Sequence, residues 1–546
     1  MADGPRPETI DPAQRYAQIA RVAERDFPRA AKLAQSAIDE GVDDPRLYGV
    51  IGYHLKDLGQ FEEAIAAFGK LLEHDPKNAR LMCQVGFCLL ELGRGQEAAR
   101  VFGAAINLDP QSAEASFGYG WAAEHVGALD SAQSAWERAV KLDPGRADAL
   151  AGLSGLAARR RNWALAEDLA RRAMALDPVQ TDAPMNLARM EIGVGQVDSA
   201  ERRLRELLAL PHLKPLARAN ARIMLGDALD AAGRYDEALA AYAEGKGELK
   251  ALFAPKFTGT GRLSSREVVG AMLAEFLQTD ADSWAVSGRP GVAGPARGHA
   301  FLIGFPRSGT TLAEQVIATH PDMVALGERP VMIEAETEFL SSAGGVTRLS
   351  GVVSDLLQPF RDSYWRRVRE FGVNPTGKVF VDKHPLSTIR LPLLCKMFPG
   401  AKIIFAVRDP RDVVLSCFRR SFNMNANMYE FNTLEDAAQF YDAVMTAGES
   451  YFERLPLTVH RLRHESLVSD FETQGRALCE FLGVDWTEKL KNFASTERAI
   501  ATPSSAQVGR GLYAEGVGQW SHYAEALKPV MPILQPWVEK FGYDAS

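Results

Sequence analysis

One spacing decides what the first half of this chain can fold into. Asp-Pro steps at Asp75-Pro76, Asp109-Pro110, Asp143-Pro144 and Asp177-Pro178 recur every 34 residues. The same step joins Gly59, Gly93 and Gly127 and, two steps on, Gly195; it joins Ala64, Ala98, Ala132, Ala166 and Ala200, and also Phe68, Phe102 and Trp136. A period of this length rules out one closed core and calls for stacked supersecondary units, each burying its apolar face on the next. The residue types specify helix pairs. Glycine ends the first helix in a left-handed turn, alanine lets the second helix approach closely, the aromatic fills the space between, and proline after aspartate stops the second helix.

Arg161 stands where one copy should have glycine, yet Trp163 and Ala166 keep its register. A last copy, Ala232-Gly233-Arg234-Tyr235-Asp236-Glu237-Ala238, comes four residues late, which predicts a longer loop near Pro211 and Pro215. Residues 11–44 read as a degenerate first copy with Ala30 in register. Over residues 11–250 the chain resembles the tetratricopeptide repeat (TPR) family, with about six to seven repeats. The resemblance implies an α-solenoid, a right-handed superhelix whose concave face takes a peptide or protein. The plainer alternative is a scaffold or dimerisation arm.

After Lys250 the rhythm stops. Residues 251–299 read as a connector, with a helix-like stretch over 266–277 and a Gly/Pro/Ala-rich stretch over 287–298. From residue 300 short apolar runs alternate with amphipathic helices: Ala300-Phe301-Leu302-Ile303, Val379-Phe380-Val381 and Ile403-Ile404-Phe405-Ala406-Val407. This order predicts an α/β domain with a parallel sheet over 300–546.

The first of these runs leads into Gly304-Phe305-Pro306-Arg307-Ser308-Gly309-Thr310-Thr311, a P-loop-like turn opening a helix, whose backbone N–H groups face an anion. Thr310 stands where a nucleotide triphosphatase needs lysine, and Arg307 supplies the charge instead. No apolar strand ends in an aspartate suited to hold Mg²⁺, which disfavours a kinase or GTPase. A glycine turn without function is the plainer alternative. Further on, Val407 is followed by Arg408-Asp409-Pro410-Arg411-Asp412, with proline suited to a first helical turn. Asp412, Ser416 and Arg420 are spaced to share one helix face, and Arg408 stands at a strand end, where open α/β sheets bind ligands. A surface ion pair of Asp412 with Arg408 or Arg420 is the plainer reading.

On these motifs residues 300–543 resemble the sulfotransferases that use 3′-phosphoadenosine 5′-phosphosulfate (PAPS), and among them the tyrosylprotein-sulfotransferase-like group often fused to TPRs in bacteria. The resemblance implies that Arg307, Ser308, Gly309, Thr310 and Thr311 hold the 5′-phosphosulfate and that Arg408 and Ser416 hold the 3′-phosphate, with Arg420 beside them. It implies Glu328 as the base and Lys383 as the cation near the leaving oxygen, with Arg307 assisting; here Arg329 replaces a second acid often found after the glutamate. His384 rivals Glu328 as base, and Lys383 could instead pair with Asp382. His464 stands where the family has tyrosine before Glu465-Ser466-Leu467-Val468. Ser505, with Ser504 as its rival, and Arg510 fall in a late donor-gripping segment. PAPS is then co-substrate, the bisphosphate PAP is product, and no metal is expected.

The 62 Lys and Arg against 70 Asp and Glu give a net charge of −8, so a basic footprint for nucleic acid is missing. With no leader-like start and no long apolar run, a cytoplasmic protein without membrane contact is expected. The five cysteines lack metal or disulfide spacing and read as buried thiols. The expectation is an enzyme that sulfates a hydroxyl acceptor, protein tyrosine favoured, with the TPR groove recruiting the acceptor or a partner. A catalytically inactive adaptor, or a glycan, lipid or small-molecule acceptor, is the alternative, and the oligomeric state stays open.

Overall fold

The computed structural model describes residues 11–211, 213–285, 294–495 and 516–544. The chain packs as two compact units, one reaching to Asn186 and the other running from Leu187 onward, with Arg159–Arg161 grouped with the second.

The first unit is built of helix pairs. Arg46–Asp57 packs with Phe61–His74, Ala79–Glu91 with Gly95–Leu108, and Ala113–His125 with Leu129–Leu142. The glycine column behaves as its spacing predicts: Gly59, Gly93 and Gly127 take φ of 74°, 76° and 71°. Each turn closes when the next residue's N–H reaches back five positions, as Gln60 does to the Leu55 carbonyl at 2.9 Å. Arg161 adopts the same left-handed conformation at φ 59°, and Asn162 makes the equivalent bond to Ala157, so the turn survives the loss of glycine. The aspartates before proline, Asp75, Asp109, Asp143 and Asp177, each cap a second helix. The degenerate first copy folds as Pro12–Ala23 and Phe27–Asp39 with Ala30 fully buried.

A second glycine column, Gly52, Gly86 and Gly120, lies under the aromatics. A methyl group at these positions would come within 2.6 Å of Phe68, 2.6 Å of Phe102 and 2.5 Å of Trp136. The rings therefore rest on backbone, which sets how closely the helices approach.

The second unit holds the last repeat, Pro215–Ala231 with Tyr235–Phe257, and the sheet. The four extra residues before this repeat go mainly into its first helix, which runs 17 residues against 12 or 13 in the three pairs above. The expected longer loop is thus largely an added helical turn. In the connector, the helix-like stretch expected over 266–277 forms. Ser264 and Glu267 form a reciprocal cap on the helix Ser265–Leu277, and Val269, Met272, Phe276 and Trp284 are buried in the core on one face of the sheet.

Five strands form that sheet: β1 (Gly298–Ile303), β2 (Met323–Leu326), β3 (Val379–Lys383), β4 (Lys402–Val407) and β5 (Thr458–Arg463), all parallel in the order β2-β3-β1-β4-β5. Central β1 is apolar on both faces because both are covered: Phe301 and Ile303 join one core cluster, Ala300 and Leu302 the other. Edge strands β2 and β5 escape the sequence reading, β2 because it has four residues and β5 because its Thr-Val-His-Arg-Leu-Arg run is polar. Among the described residues no helix is long and apolar enough to cross a membrane.

Gly86→Ala should destabilise the repeats by about 1–3 kcal/mol through overpacking against Phe102. In a Phe102→Leu background the same change should cost measurably less. Urea unfolding of the four chains checks this, and equal costs in both backgrounds would contradict the packing argument.

Candidate active site

Because β1 connects to β2 on one side and β4 lies on the other, the sheet has its topological switch point at the carboxyl ends of β1 and β4, where such sheets form ligand crevices. The loop after β1 and Arg408 after β4 meet there.

The loop is held by close contacts. A methyl at Gly304 would lie 2.6 Å from the Ala406 carbonyl oxygen, and one at Gly309, where φ is 93°, would lie 2.5 Å from His464 Nδ1. Ser308 Oγ donates to the Phe305 carbonyl at 2.6 Å and accepts from its N–H at 3.3 Å, so this hydroxyl shapes the loop from within. Gly309 caps the helix Thr310–Thr319 without a side chain, which leaves the helix start facing the crevice with its positive dipole end. Thr310 and Thr311 are buried beside it.

Arg307 carries the loop's charge. Among the described residues only Arg307, at φ 72°, and Arg161 take a left-handed backbone without being glycine. Its Nε donates to Ser416 Oγ at 2.9 Å. Burial pushes its pKa down to about 9, with Arg420 and Arg408 adding repulsion. A buried cation among cations is stabilised by an anion, so the electrostatics favour a phosphate or sulfate. Arg408 donates from Nη1 to the Arg307 carbonyl at 3.0 Å and from Nη2 to the Gly516 carbonyl, and among the described residues its buried Nε has no hydrogen-bond partner.

The helix Pro410–Arg419 separates the three residues expected on one face. Asp412 accepts the N–H groups of Gly518 and Trp520 at 2.8 and 2.9 Å, anchoring a later segment. Ser416 meets Arg307. Arg420 lies past the helix end, at φ −100° and ψ 139°, and turns to Asp227 at 3.2 Å. Arg419 pairs with Asp230, which also accepts from Tyr523, and buried Lys246 donates to the Arg420 carbonyl at 2.7 Å. The end of the helix Pro410–Arg419 is thus held by three side chains of the last repeat, Asp227, Asp230 and Lys246, for which no sequence motif gave a signal.

At the end of β3, Lys383 is wholly buried, its Nζ 2.7 Å from Glu328 Oε1 and 3.0 Å from Glu314 Oε2. Asp382 is not its partner: alternation along the strand turns that carboxylate to Tyr364, whose hydroxyl donates at 2.9 Å. Burial works against the Glu328 charge, but Lys383, by charge and hydrogen bond, and Arg307 hold its carboxyl below the usual range, so it is ionised at neutral pH. His384 is driven by burial to about 3, leaving it neutral, with a buried Nδ1 that has no hydrogen-bond partner among the described residues. His464, the stand-in for the expected tyrosine, lies against the loop glycine and is also driven by burial to about 3, with Arg408 and Arg307 adding to the effect. Glu465 accepts the Asp409 N–H at 3.0 Å and the Tyr543 hydroxyl at 2.7 Å. Ser504, Ser505 and Arg510 lie outside the described residues. Glu314 was missed by sequence reasoning, although its place one turn into the loop's helix is a usable signal.

The sulfotransferase family matches residues 300–488. Tetratricopeptide repeat families match residues 55–116 and residues 19–79, 126–180 and 185–249. An uncharacterized protein of Aquifex aeolicus is 25% identical over 256 residues, 45% of this chain and 33% of its own length. Protein-tyrosine sulfotransferase A of Caenorhabditis elegans is 25% identical over 267 residues, 45% of this chain and 67% of its own, and protein-tyrosine sulfotransferase 1 of Danio rerio is 26% identical over 261 residues, 45% and 72%. This chain therefore spans about a third of the Aquifex relative's length. Among solved structures, that of MamA is 25% identical with a TM-score of 0.26, covering 29% of this chain and 92% of its own. The chain combines tetratricopeptide repeats with a sulfotransferase-family domain.

The buried histidines give a pH signature. His299, His384 and His464 are each lowered by burial from 6.5 to about 3, so each takes up a proton on unfolding as pH falls below 6.5, and their stabilisation is lost in that direction. Asp382 acts oppositely: burial raises it from 3.8 to about 7, so the folded state keeps a proton that the unfolded chain releases. From these four groups unfolding takes up a net of about two protons near pH 5, so stability falls by about 3 kcal/mol per pH unit on acidification there. Urea midpoints at several pH values check this; Asp382→Asn should steepen the slope, and a flat dependence would contradict it.

Proposed function

We propose that the protein transfers a sulfuryl group from PAPS to a hydroxyl acceptor. The observation that carries this reading is Arg307, buried on Ser416 and repelled by Arg408 and Arg420, at the mouth of a phosphate loop that lacks the triphosphatase lysine. Matches to the sulfotransferase family and to protein-tyrosine sulfotransferases support it.

In this reading the loop N–H groups with Arg307, Thr310 and Thr311 bind the 5′-phosphosulfate, and Arg408 and Ser416 bind the 3′-phosphate. The acceptor oxygen forms a bond to sulfur as the bond from sulfur to the donor phosphate breaks, its electron pair staying on the phosphate. Arg307 and Lys383 stabilise that charge, and the acceptor proton passes to Glu328. Glu328 suits the base because its side chain is 40% exposed while Lys383 is hidden. Neutral His384, at about 3, takes a proton only in strong acid. The relatives' names favour a protein tyrosine as acceptor, and the repeats are suited to recruit a protein bearing it.

Incubation with PAPS and a pool of peptides, glycans and metabolites should release PAP. Arg307→Ala should abolish PAP binding, whereas Glu328→Gln should keep binding and lower turnover about 10²-fold or more. ATP with Mg²⁺ binding tighter than PAPS would overturn the reading. A chain beginning at residue 187 keeps Asp227, Asp230 and Lys246 and should bind PAP; one beginning at residue 251 should not, and equal binding by both would contradict a role for the last repeat at this site.

A further inference from the structure

Lys383 faces two carboxylates delivered by different elements: Glu328 follows β2, and Glu314 lies on the loop's helix. One ammonium is thus shared by two carboxylates at the place where the reading above puts proton transfer. The surroundings are few. His384 and Arg307 act on Glu328, Arg329 is drawn to Glu314, and Asp382 on the same strand points to Tyr364. The two acids differ in access, Glu328 being 40% exposed and Glu314 18%. The outer acid is placed for an acceptor; the inner one has no use in the reaction as described.

The inner acid solves a physical conflict. A fully buried lysine tends to lose its proton, and a carboxylate alone with an ammonium at 2.7 Å is a poor base. A second carboxylate on the same ammonium counters both tendencies. It adds charge that keeps the lysine protonated, and it shares the lysine's N–H donors while repelling Glu328, so Glu328 accepts a proton more readily than it would with Lys383 to itself.

We infer that Glu314 is a positioning residue of the sulfuryl-transfer site, fixing Lys383 as a protonated, shared cation and thereby keeping Glu328 basic enough to take the acceptor proton. The inference rests on the sulfotransferase reading for its purpose, but the charge coupling can be measured without donor or acceptor.

The test uses the full chain labelled with ¹³C at lysine Cε, with the Lys383 signal assigned by its loss in Lys383→Met. In the wild type the signal should stay at its ammonium position up to about pH 10.5, because the two carboxylates raise Lys383 above its ordinary value. In Glu314→Gln it should titrate at lower pH than in the wild type, since burial is then opposed by one carboxylate only. Glu314→Asp, which keeps the charge on a shorter arm, should fall between and covers the case in which the glutamine variant does not fold. With an acceptor, Glu314→Gln should lower kcat about tenfold with PAP affinity changed less than about twofold, and Glu314→Asp should recover most of it, as expected for a tuned base. A Lys383 signal that moves in neither variant, or an aspartate variant as slow as the glutamine one, overturns the inference. PAP calorimetry on the same wild-type sample separates the two readings: absence of PAP binding defeats the sulfotransferase reading, while the lysine titration still decides the coupling.

Discussion

The site depends on keeping several guanidinium groups close together in a buried place. Arg307 is held out on a left-handed backbone by its bond to Ser416, and Arg408 braces the same loop through the Arg307 carbonyl. Burial and mutual repulsion make this arrangement unfavourable in isolation, which is why Arg307 drops to about 9. An anion would relieve that repulsion, which is why the cluster favours a phosphate-bearing ligand in the proposed reading.

The rest of the second unit is arranged to tolerate that charge. Arg419 and Arg420 are answered by Asp230 and Asp227, and Asp412 is satisfied by the N–H groups of Gly518 and Trp520. The two aspartates come from the first helix of the last repeat, and Lys246 of its second helix fastens the carbonyl of Arg420. The repeat rhythm and the packing therefore divide the chain at different places. Periodicity runs on to about residue 250, while compactness groups everything from Leu187 with the sheet. A helix pair that is a repeat by its residues is a wall of the α/β unit by its contacts.

Much of this was legible before any coordinates, for identifiable reasons. Glycines, alanines and aromatics at a fixed period specify helix pairs because each residue type meets a local steric demand, and even Arg161 obeys the demand of its column. The loop and the three central strands were legible because buried parallel strands are continuously apolar. What stayed hidden depends on tertiary distance. Spacing put Arg420 on a helix face that ends one residue earlier, at Arg419, and nothing in the helix-like stretch over 266–277 or just after it told that Phe276 and Trp284 join the core under the sheet. Adjacency suggested Asp382 for Lys383, but strand alternation gives it Glu314 and Glu328, from elements that only folding brings near. The polar edge strand β5 carried no apolar signal to read.

The central claim is that the crevice at β1 and β4 is a clamp for two phosphates of one nucleotide. A crystal structure of the full chain with PAP tests it most directly. The 5′-phosphate should lie against the loop N–H groups and Arg307, and the 3′-phosphate against Arg408 and Ser416, with Lys383 facing the 5′ side. A nucleotide lying elsewhere, or one whose 3′-phosphate touches neither Arg408 nor Ser416, would contradict it.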